Sequence, residues 1–341
     1  MSAAVPSSTP DAAVLAAYLR DQGVTRAETV TVEKFAGGQS NPTFKIVAGD
    51  RNFVLRRKPM GPILPSAHAV DREFRVMTAL GKVGFPVPKT YVLCQDPAVL
   101  GSDFFIMDCV DGRIMWDQSL PGMSKTQRGE IYDELNRVIA SLHKIDHVAA
   151  GLETYGKPGN YFARQVKRWG EQYRASETQN LDAMNKLMAW LPDHIPPGDE
   201  TSIVHGDFRL DNMVFHPTEP RILAVLDWEL STLGHPLADF SYHCLSWYIP
   251  PAMFPGLAGE DLPGLGIPAM ADYVAAYCRR TGRSGIDNWN FYIAFNLFRL
   301  AAILQGIAKR ALDGTASSTK AVERGRMAGP VADIGWKLIA P

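Results

Sequence analysis

A chain of 341 residues, 46% hydrophobic and 21% charged, has the apolar mass for two unequal lobes sharing a cleft, and too little for three domains. Its formal net charge of −1 gathers neither nucleic acid nor an anionic membrane, so neither is expected as a partner. Cys94, Cys109, Cys244 and Cys278 stand far apart with no CxxC pair, which speaks against a zinc knuckle or redox dithiol and for buried, reduced thiols.

Residues 1–10 read as a flexible Ser/Ala/Pro arm. With no basic start, and with Pro6, Pro10 and Asp11 interrupting any apolar run, they do not read as a signal peptide, and a cytoplasmic location is expected. Val14, Leu15, Tyr18 and Leu19 share one face of a short helix ending near Gly23. Strand-like runs follow at 29–35, 43–47 and 52–57, punctuated by Gly37-Gly38 and Gly49-Asp50. A loop with Pro59, Pro62 and Pro65 leads to a helix capped by Ser66 and running to about Val83. Two more strand-like runs, 89–94 and 103–110, complete a small sheet with one helix packed on it. Residues 1–110 are thus a β-rich lobe.

After Asp111-Gly112 helical periodicity takes over, at 125–145, 161–173 and 181–191. Two short β segments between 203 and 228, joined by a tight turn at 216–220, interrupt it. Helices resume at 237–247, 268–280, 287–311 and 318–338. The apolar stretch 291–307 carries Asn296, Arg299 and Gln305 and reads as a core helix rather than a membrane span. Residues 111–341 form the larger, α-rich lobe, which makes the fold class α+β.

The densest chemical signal is Ile203-Val204-His205-Gly206-Asp207-Phe208-Arg209-Leu210-Asp211-Asn212-Met213-Val214-Phe215. One loop holds Asp207 and Asn212 at fixed spacing. Phosphoryl transfer uses such a pair: a carboxylate to orient and deprotonate an acceptor hydroxyl, and an amide oxygen on Mg²⁺. Downstream, Leu226-Asp227-Trp228-Glu229 adds a carboxylate at the end of a β segment, and one Asp with one Asn suffices for an ion that keeps phosphate and water ligands.

HGDFRLDN followed by LDWE resembles the paired motifs of aminoglycoside phosphotransferase-like and choline-kinase-like small-molecule kinases, relatives of the protein kinases. The resemblance implies a protein-kinase-like two-lobed fold with ATP and Mg²⁺ as cofactors and a small hydroxylated molecule as acceptor. It implies Asp207 as catalytic base, Arg209 on the γ-phosphate, and Asn212 and Asp227 on the metal. Arg56 then stands where these kinases carry a phosphate-binding lysine, with Val54 roofing the adenine and Glu73 as the helix partner of Arg56. Arg57 or Lys58 would take that place if the strand were shifted in register. Gly37, Gly38, Ser40 and Asn41 form the loop over the phosphates, and Met107, Asp108 and Val110 the hinge that meets the adenine edge. Asp239 resembles the aspartate that braces the catalytic loop, and His205 reads as a further brace. A nucleotide-binding pseudokinase is one alternative, although binding alone does not need the base. A metal-dependent hydrolase using His205, Asp207, Asp227 and His235 is another.

The acceptor is read from the second lobe. Residues 246–268 form an apolar, Pro-rich lid charged only at Glu260 and Asp261. Residues 279–326 hold nine Lys or Arg against three acids, an apparent basic helical surface. The chain is also similar to kinase-like domains fused to acyl-CoA dehydrogenases, which implies a hydroxylated acyl-CoA, part oily and part anionic.

Overall fold

Asp11 starts the first helix, α1 (Ala12–Asp21), by accepting the Ala13 and Val14 N–H groups at 2.9 and 3.0 Å. The computed structural model describes residues 9–35, 41–60, 69–314 and 321–340. Gly37, Gly38, Ser40 and the Ser66 cap therefore lie outside the described residues. Strands β1 (Thr31–Lys34), β2 (Thr43–Ala48) and β3 (Arg51–Arg57) are followed by α2 (Val70–Lys82), β4 (Thr90–Cys94), α3 (Pro97–Leu100) and β5 (Phe104–Asp108). The strands make one antiparallel sheet in the order β1-β2-β3-β5-β4.

Strand alternation divides β3 between two faces. Phe53 and Leu55 join Phe44, Ile46, Phe104 and Ile106 in a core closed by Leu15 and Leu19 of α1. Arg56 and its register partner Phe105 face the other way, where α2 brings Glu73 and Phe74. The sheet thus carries a helix on each face rather than the single one expected, because α1 is amphipathic and its apolar stripe enters the core.

The chain continues through α4 (Lys125–His143), α5 (Tyr161–Ala175), α6 (Asp182–Asp193), β6 (Ser202–Val204), β7 (Met213–Phe215), β8 (Ile222–Val225) and β9 (Thr232–Gly234). Then come α7 (Pro236–His243), α8 (Leu262–Leu265), α9 (Met270–Thr281), α10 (Trp289–Leu312), α11 (Ala321–Gly325) and α12 (Ala328–Lys337). Helix α10 is long and apolar enough to cross a membrane by composition, yet most of it is buried against α5, α6, α7, α11 and α12. Asn296, Arg299 and Gln305 are buried with it. The helix expected over 318–338 is two helices. Pro330 cannot donate to residue 326 and would clash with its carbonyl, so a new helix starts with the proline in its first turn. Strand β9, too short to read from its pattern, pairs antiparallel with β6.

Contacts divide the chain into two units: residues 1–112 with 223–229, and residues 113–222 with 230–341. A single cut at residue 110 therefore misses a segment. Residues 223–229 join the first unit because the Val225 N–H donates to the Pro86 carbonyl at 2.9 Å and Trp228 packs edge-on against Phe85.

Candidate active site

The second unit carries the HGD loop. Gly206 leaves β6 with φ +83°, and a Cβ there would stand 2.7 Å from the Leu230 carbonyl oxygen, so only glycine fits. Asp239, on α7 and buried, accepts the His205 and Gly206 N–H groups at 2.8 Å each, and His143 Nε2 lies 3.2 Å away. Burial alone would raise this carboxyl's pKa, but His143 and the His205 N–H hold it below the usual range. From α10, Arg299 Nη2 donates to the Gly206 carbonyl at 2.8 Å. The peptide preceding Asp207 is thus pinned from two sides, with Asp239 as the expected brace.

The Asp207 carboxylate has three partners. Oδ1 accepts the Tyr242 hydroxyl at 2.7 Å and lies 3.1 Å from Arg209 Nε; Oδ2 accepts Asn212 Nδ2 at 3.1 Å. Asn212 Nδ2 also donates to the Asp207 carbonyl at 2.9 Å, so the amide oxygen of Asn212 takes no part in the pair. Arg209, expected on the γ-phosphate, is ion-paired to Asp207 and, at 2.9 Å, to Asp211. Tyr242 and Arg299 escaped sequence reading. Tyr242 follows Asp239 by three residues, which sets both on one face of α7, and that spacing was the available signal.

The first unit gathers a second cluster around Arg56. Its Nε lies 2.7 Å from Glu73 Oε2, and its Nη2 lies 2.6 Å from Asp227 Oδ1 and 3.4 Å from Glu229 Oε2. Asn41, expected on phosphate, donates Nδ2 to Glu73 Oε1 at 2.9 Å, so its side chain supports the helix glutamate. Burial lowers the Arg56 pKa, but the three carboxylates more than offset this and leave it raised. Glu73 is pushed up to about 7, first by burial and then by Asp227 and Glu229, against the pull of Arg56. Three carboxylates on one guanidinium leave excess negative charge. Asp227 itself takes φ +64°, a strained backbone for a non-glycine.

The neighbouring cations go elsewhere. Arg57 is buried on the opposite face of β3, over Phe44 and 3.4 Å from the Leu100 carbonyl, and Lys58 pairs with Asp103. Val54 shares the Arg56 face by alternation. Met107 and Asp108 end β5, with Val110 just beyond. The Asp108 N–H donates to the Lys89 carbonyl at 2.8 Å and its carboxylate accepts the Tyr91 hydroxyl at 2.6 Å. The Asp108 N–H is therefore committed to the sheet edge.

Among the described residues, no group of three or more His, Cys, Asp or Glu is arranged to hold a metal ion. The donors that are present suit magnesium, a hard ion that takes few protein oxygens and completes its shell with phosphate and water. In the first unit Asp227 and Glu229 carry charge in excess of what Arg56 neutralises, and in the second unit the Asn212 amide oxygen is an oxygen donor of the same hard kind. The hydrolase reading finds no metal cluster among the described residues, and both of its histidines serve the backbone. His205 Nδ1 accepts the Asp207 N–H, and His235 Nδ1 caps α7 with its pKa lowered to about 4 by burial.

The basic helical surface is neutralised in part. Arg280 pairs with Asp133, Arg283 with Glu200 and Lys309 with Asp313, while Arg299 is buried. Lys320 lies outside the described residues. The apolar lid fares better: Ile249, Phe254 and Pro255 line a cavity of about 180 Å³ together with Tyr242 and Arg209.

A family model described as the phosphotransferase enzyme family matches residues 31–286. Acyl-CoA dehydrogenase family member 10 of Mus musculus is 49% identical over 306 residues, 89% of this chain and 28% of that protein. The chain spans less than half the length of the curated relatives it matches. A crystal structure from Ralstonia eutropha JMP134, provisionally designated an aminoglycoside phosphotransferase, is 55% identical with a TM-score of 0.88, covering 95% of this chain and 97% of that one. The structure of spectinomycin phosphotransferase in complex with ADP and spectinomycin has a TM-score of 0.64 at 12% identity, covering 98% and 99%, and shares the fold. The two-lobed, kinase-like α+β architecture expected from the motifs is the architecture found.

Proposed function

Because this chain belongs to the phosphotransferase enzyme family, we propose that it is an ATP-dependent, magnesium-requiring kinase that phosphorylates a hydroxyl on a small molecule with an apolar body. The observation that carries the proposal is the Asp207 carboxylate, held by Tyr242, Arg209 and Asn212 in a loop pinned by Asp239. A base fixed in this way aligns the acceptor hydroxyl and takes its proton at a carboxylate oxygen as the phosphoryl group is transferred. Arg56, oriented by Glu73, holds the nucleotide phosphates. Asp227, Glu229 and the Asn212 amide oxygen are the groups that would hold Mg²⁺, which would supply positive charge to offset that of the phosphates. A pseudokinase would have no use for so constrained a base.

The candidate acceptor is a hydroxylated acyl-CoA thioester. The apolar cavity beside the loop and the acyl-CoA dehydrogenase relatives support it more than the partly paired basic surface does. A cytoplasmic location without nucleic-acid or membrane partners belongs to the same reading. Asp207→Asn should leave Mg-ATP affinity within about twofold while lowering transfer by about 10²–10⁴, the usual worth of a positioned base. Single-turnover transfer to hydroxyacyl-CoA thioesters, with kanamycin as the polycationic comparison, measures it. An unchanged rate removes Asp207 from the mechanism, and efficient phosphorylation of kanamycin alone removes the acceptor.

A further inference from the structure

The cavity of about 180 Å³ in the second unit is walled by two of the side chains that touch the base, Arg209 and Tyr242, and then by Leu245, Ile249, Phe254 and Leu300. Much of its polar lining is already engaged, with the neutral Gln118 and Ser246 as further members. The Tyr242 hydroxyl donates to Asp207, and Arg209 is paired to Asp207 and Asp211. His243 has one ring nitrogen 3.2 Å from the Phe208 carbonyl and the other 2.7 Å from the Tyr273 hydroxyl. Burial lowers its pKa to about 4, so it is neutral near pH 7. The two charged members of this wall, Arg209 and Asp211, are paired with each other. At the rim stands Trp116, 68% exposed, an indole left largely uncovered beside an apolar hollow.

Building on the kinase reading above, we infer that this cavity is the acceptor subsite for an uncharged aliphatic chain leading away from the reacting hydroxyl, with Trp116 as the specificity-determining residue at its entrance. The volume sets the length. At roughly 30 Å³ per water-sized group, about six heavy atoms fill the cavity, and a longer chain emerges against the Trp116 ring. A polycationic sugar matches neither the size nor the lining. The anionic remainder of a larger acceptor lies outside this hollow, beyond the indole.

The test uses simple alcohols as probes and needs no transfer. The seven tryptophans are labelled with ¹⁵N at the indole, Trp116 is assigned by Trp116→Phe, and 1-butanol, 1-hexanol and 1-octanol are titrated into the full chain. The expected result is a saturable shift of the Trp116 signal. Affinity should rise about fourfold per methylene up to hexanol, the worth of one buried CH₂, and flatten towards octanol. Trp116→Ala should weaken hexanol binding, read by displacement of the Tyr242 ring signals, by about tenfold, with an unchanged thermal midpoint because the side chain is exposed. Trp190 and Trp289 line a separate cavity of about 590 Å³ and report on it independently. Shifts confined to that pair, no saturable shift at Trp116, or affinity independent of chain length each overturn the inference. Since binding alone is read, its failure is separable from that of the kinase reading, which the Asp207→Asn transfer assay decides.

Discussion

Replacing Asp239 by asparagine keeps the shape of the side chain and removes one acceptor oxygen. In the native loop Oδ1 faces the Gly206 N–H, while Oδ2 faces the His205 N–H and His143. The amide will place its oxygen where two donors converge, which sets its NH₂ against the Gly206 N–H. One charge-assisted bond is lost, worth about 1.5–3 kcal/mol, and a buried N–H is left without an acceptor at a cost that overlaps the first. About 3 kcal/mol is the expected loss. At ~2–4 °C per kcal/mol for a body of this size, the calorimetric midpoint of the second unit should fall by about 6–12 °C. The pH dependence has a definite sign. Asp239 is held low in the fold, so its stabilisation is complete above the unfolded carboxyl value near ~3.9 and is lost as pH falls through the lower folded value. The gap between wild type and Asp239→Asn should be flat from about pH 5 to 8 and close only in acid. A midpoint within about 2 °C of wild type at pH 7 would refute the bracing role.

Two further predictions concern the first unit. Arg56→Ala should weaken Mg-ATP binding by titration calorimetry about tenfold or more, whereas Arg57→Ala should spare binding and lower the thermal midpoint, because Arg57 lies in the core over Phe44. The reverse pattern would place the phosphate contact on the other strand face. Glu73 carries a folded pKa of about 7 against about 4.3 unfolded, so the fold holds a proton that the unfolded chain has released. First-unit stability should therefore fall as pH rises from about 4.3 to 7, and Glu73→Gln should remove that slope in melts taken across this range.

Much of the arrangement around Arg56 was legible because strand alternation is strict. Once β3 was placed, Val54 and Arg56 had to share a face, and the α2 glutamate met them. The HGD loop was legible because its chemistry is local in sequence. What escaped depended on distant segments. Tyr242 reaches Asp207 only because α7 folds back along the loop, and Arg299 looked like one more surface charge until α10 buried it. The basic surface was overcounted for the same reason: the carboxylates that pair Arg280 and Arg283, Asp133 and Glu200, lie far away in the chain.

The return of residues 223–229 to the first unit bears on how the protein is made. A chain emerging from the ribosome has every strand of the five-stranded sheet by residue 112, yet lacks Trp228 for the face of Phe85 and Asp227 for Arg56. That segment emerges more than a hundred residues later, on the order of ten seconds at ~5–20 residues per second. During that interval Arg56 and the buried Glu73 have only each other and Asn41. Truncation at residue 112 would thus yield a sheet with an unfinished charge cluster, and a separately expressed first unit would need residues 223–229 supplied in trans or spliced after residue 112.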